Sequence, residues 1–251
     1  MGSITSVTLI EHFEELRTRL LIAFGAWVVG SGLAFAFRFQ VLDWLRAPLP
    51  GTTTLSYFGV LEPFTVSMQI ASFFGIVVAS PVILGQLWGF ISPGLYSHER
   101  RYAVPFIFFA VLAFLGGVGF AYYVVLPITI PILLGFLGQA AQGLLSIGRY
   151  ISTILMLMGV FGLMFEMPVL GYLLARIGLL RSAPLAKNRR YAIVIGLVFA
   201  AIITPTGDPF NLSLVAVPLI VLYELTVWVV YFSQRRMEEY GREDPEPTSP
   251  N

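Results

Sequence analysis

The residues best placed to do chemistry in this chain are carboxylates, and Glu99 has the most unusual setting. It belongs to Phe90-Ile91-Ser92-Pro93-Gly94-Leu95-Tyr96-Ser97-His98-Glu99-Arg100-Arg101. On either side, residues 63–97 and 102–148 hold no Asp, Glu, Lys or Arg at all. A cluster of this polarity between two such runs belongs in water or at a headgroup surface, because charge in hydrocarbon is costly. A loop that only served topology would favour the arginines alone. The acid among them points to a site that reads a cation, and a carboxylate can take a guanidinium through two parallel hydrogen bonds.

Other acids fall into two settings. Glu15 lies in Glu11-His12-Phe13-Glu14-Glu15-Leu16-Arg17-Thr18-Arg19-Leu20, where Phe13, Leu16 and Leu20 recur at helical spacing. That pattern predicts an amphipathic helix entering a membrane, with His12, Glu15 and Arg19 on another side. Its plain reading is an interfacial helix with a Glu15–Arg19 pair; its functional reading pairs Glu15 with Glu99 as two acids at one membrane face. Glu166 and Glu224 stand inside apolar runs. Intramembrane acids face a cavity, a partner or an ion path rather than lipid. Glu166, mid-run beside Pro168, fits that role, whereas Glu224 fits an interfacial position near a span end.

Other chemistry is excluded by what the sequence lacks. There is no cysteine, hence no disulfide, thiol nucleophile or thiolate metal site. The two histidines, His12 and His98, cannot build a multi-histidine metal centre, and no Gly-Lys-Ser/Thr phosphate loop occurs. We expect no enzyme, cofactor or metal. The net charge of +1, grouped by position rather than spread over a basic face, says nothing about nucleic acid, and no nucleic-acid partner is expected.

The elements that must position these acids are membrane spans. The chain is 57% hydrophobic and 12% charged, about half the charge density of a soluble domain. No cleaved leader is expected, because three glutamates precede the first apolar run. The predicted fold is all-α, with six spans at about 20–37, 64–91, 102–126, 150–175, 191–204 and 210–232, the last two short. A charged, Pro-rich, disordered tail is expected over 233–251. Pro81 is a predicted kink, and residues 127–148 suggest short interfacial or re-entrant helices. Six spans place Arg17, Arg19, Arg100, Arg101, Arg176, Arg181, Lys187, Arg189, Arg190, Arg235, Arg236 and Arg242 on one side. Only Arg38, Arg46 and Arg149 fall on the other. Positive charge marks the cytoplasmic side, so both termini are expected there.

These blocks together resemble the TatC family, the multi-span subunit of the twin-arginine protein translocase. The resemblance rests on His12 with Glu15-Leu16-Arg17-Thr18-Arg19-Leu20, Ala47-Pro48-Leu49, Glu62-Pro63-Phe64 and Trp88-Gly89 running into Phe90–Arg101. It continues through Phe165-Glu166-Met167-Pro168, Arg190-Tyr191, Thr204-Pro205, Asp208-Pro209, Pro218 and Tyr223-Glu224. It covers roughly residues 9–232 in order. It implies a cup-shaped bundle in the plasma membrane that binds twin-arginine signal peptides of folded cargo. Partners would be single-span TatA- and TatB-type subunits, further copies of this chain, and membrane lipid, with transport driven by the proton-motive force. Under the resemblance, Glu15 and Glu99 face the signal's arginines, with Arg17, Arg19, Phe90 and Arg101 shaping that surface. Glu166 becomes the polar group of the concave face. Thr204, Asp208 and Glu224 become partner contacts, and Pro48 and Glu62 structural loop residues. Leu212 stands where some family members carry Gln. An ion-coupled solute transporter is the alternative, though no internal repeat supports it.

Overall fold

The sequence folds almost wholly into helices, because its apolar runs leave backbone groups that only intrahelical bonding can satisfy in hydrocarbon. A computed structural model describes residues 9–50, 53–91, 103–135, 144–204 and 208–243. Glu99 and Arg101 lie outside them.

Helix α1 runs unbroken over Leu9–Ala36, so the stretch expected as an interfacial helix is continuous with the first span. Its stripe of Phe13, Leu16 and Leu20 is exposed, while Glu15 and Arg19 are half-buried toward the protein. In lipid the usual amphipathic logic inverts, and the apolar side faces outward. Helix α2 covers Arg38–Arg46, followed by a two-residue strand β1, Leu55–Ser56. Helix α3 is Glu62–Ile91. It continues past Pro81, whose missing N–H frees the Val77 carbonyl; the Ser80 hydroxyl donates to that carbonyl at 2.8 Å. Helices α1 and α3 run antiparallel: Arg19 lies at Gly89, Trp27 Nε1–H donates to the Ser72 carbonyl at 3.0 Å, and Gly30 meets Gly75. A Cβ at Gly30 would strike the Gly75 backbone. Small residues permit this close approach, which membrane helices use for packing.

The third span departs most from expectation. Helix α4, Ala103–Phe120, passes through a π-helical turn, Ala121–Val125, into α5, Leu126–Gly135. The apolar path extends over Pro105–Gly135, so residues 127–135 lengthen this span instead of forming a separate interfacial helix. The wide turn, in which Leu126 N–H reaches the Ala121 carbonyl, comes just before Pro127, where regular bonding would fail anyway.

Strand β2, Leu145–Ser146, pairs in parallel with β1. Helix α6, Ile147–Phe165, is separated from α7, Met167–Arg176, by Glu166, and Pro168 enforces that break. Gly178, at φ 75°, ends α7 in the left-handed conformation that glycine adopts freely. Helix α8 is Ser182–Lys187, α9 is Arg189–Ile203 and α10 is Pro209–Glu243. The core lies around α6, where Ile151, Ile154, Met158 and Phe161 are fully buried against α3, α4 and α5.

Five segments are long and apolar enough to cross a membrane: Phe13–Ala36, Glu62–Phe90, Pro105–Gly135, Ile147–Arg176 and Pro209–Arg235. The fifth expected span, α9, has 15 residues, about 22 Å at 1.5 Å per residue, against a hydrocarbon core of about 30 Å. The last span is not short, contrary to expectation. Its helix has 35 residues and continues through Glu243 into the segment expected as a disordered tail.

Candidate functional site

Around Glu15 the site is built by two antiparallel helices and a glycine. Arg19 Nε and Nη2 donate to Glu15 Oε1 at 2.9 and 2.7 Å across one helical turn. The Arg19 guanidinium lies directly over Gly89, where any Cβ would displace it. Gly89 therefore sets how close this ion pair can come to α3, a role that its type and spacing did not reveal. Beside it, Trp88 is buried against Phe106 of α4, ring centroids 4.2 Å apart. That contact closes α3 onto α4 next to the segment carrying Glu99. Phe90 is half-buried in the last turn of α3. Arg17 points away, exposed on the opposite face of α1 from Glu15 and Arg19. The structure thus gathers Glu15, Arg19 and Phe90 at one end of the bundle and leaves Arg17 apart. Glu15 Oε2 has no partner among the described residues.

Glu166 sits in the joint between α6 and α7 and is 5% exposed. Its Oε1 has no hydrogen-bond partner among the described residues. Burying such a group has a free-energy cost that an apolar side chain there would not carry.

Two polar clusters bracket α9. At one end Thr204 is buried, its hydroxyl donating to the Ala200 carbonyl at 2.7 Å. Asp208 caps α10 there, accepting from Asn211 N–H at 2.8 Å and from its side-chain amide at 2.7 Å. Asn211, 2% exposed, was missed by the sequence reading. A polar residue three positions after Asp-Pro is the signal that could have found it. At the other end Glu224 and Arg189 form a two-pronged pair at 2.8 and 2.9 Å. Glu224 thus already joins α10 to α9 within the chain.

The loop residues Pro48 and Glu62 lie at the bundle end opposite Glu15. Glu62 Oε2 accepts from the Phe58 and Gly59 amides, and its Oε1 from Gly148 N–H at 2.8 Å and the Ser146 hydroxyl. This single carboxylate ties the first loop to the start of α6.

Among the described residues no three His, Cys, Asp or Glu come together to hold a metal. What the geometry defines is a multi-span helical membrane protein whose polar groups sit at helix ends and joints. The family model described as "Sec-independent protein translocase protein (TatC)" matches residues 11–218. A TatC of Aquifex aeolicus is 40% identical over 92% of this chain and 98% of its own length. One of Deinococcus radiodurans is 38% identical over 89% and 86%. TatCy of Bacillus subtilis is 36% identical over 98% and 97%. A crystal structure of the twin arginine translocase receptor TatC superposes with a TM-score of 0.80. It is 40% identical and covers 90% of this chain and all of its own. The chain belongs to the TatC family, whose members are protein-translocation subunits and not enzymes. The alternative of an ion-coupled solute transporter has no support in these matches.

Proposed function

We propose that this chain is the receptor subunit of a twin-arginine translocase, with the arginine pair of a signal peptide read at the bundle end that holds Glu15. The likeness to a TatC receptor structure, 40% identical over 90% of the chain, carries this reading. The geometry at Glu15 supports it: one carboxylate oxygen is taken by Arg19 and the other is open. Glu99, in the segment joining α3 to α4, supplies the second acid. Two carboxylates suit two adjacent guanidiniums, each able to bond bidentately. Arg19 and Phe90 shape the same surface, and Arg101 and Arg17 complete its charge pattern.

On this reading α9 crosses as a sixth, short span of a cup-shaped bundle. Both termini and twelve of the fifteen basic residues then face the cytoplasm of a plasma membrane. The mismatch between α9 and the bilayer thins lipid locally, beside buried Glu166 on the concave face. TatA- and TatB-type single-span subunits dock where Thr204 and Asp208 end α9 and begin α10. Glu224 braces that helix pair. Several copies of the chain assemble into the receptor, and the proton-motive force drives transport.

The test is capture of the detergent-extracted full chain on an immobilised twin-arginine signal peptide, against the same peptide with Lys-Lys. The arginine form should bind at least about tenfold better, and Glu15→Ala or Glu99→Ala should remove most of that preference. Equal capture by both peptides, or an unchanged preference in Glu99→Ala, refutes the reading.

A further inference from the structure

Next to the break at Glu166, helices α6, α7, α9 and α10 enclose a lateral cleft of about 460 Å³. Leu163, Met167, Ile193, Phe199 and Ile220 line it, so its walls are apolar, and Tyr223 stands at one end. The Tyr223 hydroxyl donates to the Leu185 carbonyl at 2.8 Å. Leu185, with Arg181 and Asn188, lines a second pocket of about 280 Å³. The two cavities therefore adjoin at the Tyr223–Leu185 contact, one apolar and one cationic.

Three cations belong to the segments that meet there, one of them in the lining of the second pocket. Arg181 forms part of the second pocket, Lys187 ends α8, and Arg190 lies one helical turn before Ile193 of the cleft wall. All three are exposed and have no ion pair among the described residues. Arg189, between them in sequence, is already held by Glu224. We infer that this composite site binds one anionic phospholipid, an acyl chain in the cleft and the phosphate among Arg181, Lys187 and Arg190. Charge complementarity selects the occupant. A membrane protein's basic pocket beside an apolar groove matches an anionic headgroup on its chain, whereas a zwitterionic lipid would bring its ammonium group among three cations.

Native mass spectrometry of the full chain, delipidated in detergent and given phosphatidylglycerol or phosphatidylcholine, tests the proposal. One phosphatidylglycerol should be retained with at least about tenfold preference. The R181Q/K187Q/R190Q variant should bring that preference close to unity. Ala192→Trp fills the cleft and keeps every charge, and it should reduce retention of both lipids. Ile193→Phe serves as the second cleft variant, and thermal melting checks that each variant folds. Equal retention of the two lipids by the unaltered chain overturns the proposal, and that arm needs no variant. So does full phosphatidylglycerol retention in both cleft variants, which would reduce the site to surface charge.

Discussion

Substituting the tyrosines that hold the end of α2 should give unequal effects, and the inequality follows from Pro48. The last turn of a helix leaves carbonyls without intrahelical donors. At the end of α2, Ala47 N–H donates to the Trp44 carbonyl at 3.1 Å and Leu49 N–H to the Arg46 carbonyl at 3.0 Å. Between them the Leu45 carbonyl would look one turn ahead to position 48, but proline has no N–H. Its donor is the Tyr150 hydroxyl at 2.8 Å, from a residue 105 positions away. The Tyr122 hydroxyl makes the shorter bond, 2.6 Å to the Trp44 carbonyl, which already has Ala47. Tyr150→Phe therefore strands a buried carbonyl at about 1–3 kcal/mol, whereas Tyr122→Phe loses one bond of two at about 1 kcal/mol. At about 1.4 kcal/mol per tenfold, Tyr150→Phe should speed local opening of α2 by roughly 5- to 150-fold, and Tyr122→Phe by about fivefold. Amide hydrogen exchange of a peptide spanning Val41–Leu49, in the protein held in nanodiscs, measures both. Faster exchange in Tyr122→Phe than in Tyr150→Phe, or no change in Tyr150→Phe, refutes the argument.

Two further substitutions probe buried and capping carboxylates. Glu166→Leu removes a buried carboxylate whose Oε1 has no partner among the described residues, so it should stabilise the fold by about 1–3 kcal/mol. A lower melting temperature would show that the charge is compensated. Asp208→Ala removes the side-chain acceptor of Asn211 N–H, at about 1 kcal/mol. Exchange should rise over Phe210–Ser213, and unchanged exchange there would mean that Asp208 does not cap α10.

The apolar runs were legible because spans of this length have few other readings, and four of the five long segments fall close to where composition puts them. The third was cut too early, at Leu126, because prolines at 127 and 131 suggested a boundary. The π turn absorbs that disruption before the first proline, which no local propensity announces. The disorder expected from residue 233 failed for the opposite reason, since a charged sequence there stays helical as far as Glu243. Within the site, Glu15 and Arg19 were legible as an i,i+4 pair, but which side of α1 faced the protein was not. In lipid an exposed apolar stripe carries no penalty. Gly89 was invisible because its role depends on what lies across from it in space, whereas Asn211, bonded to Asp208 three positions earlier, carried a local signal.

The loops at the bundle end opposite Glu15 also set an order of events. Strand β1 waits for β2, ninety positions later, and Leu45 and Glu62 wait for Tyr150 and Gly148. During synthesis, α1, α3 and the α4–α5 span must all be in place before any of these partners exists. Until then α2 has an unpaired end and an open flank. The first loop is thus a late-closing clasp: its shape reports that the first three long spans have been threaded in the correct sense, since a chain with one of them inverted would carry β2 to the wrong side.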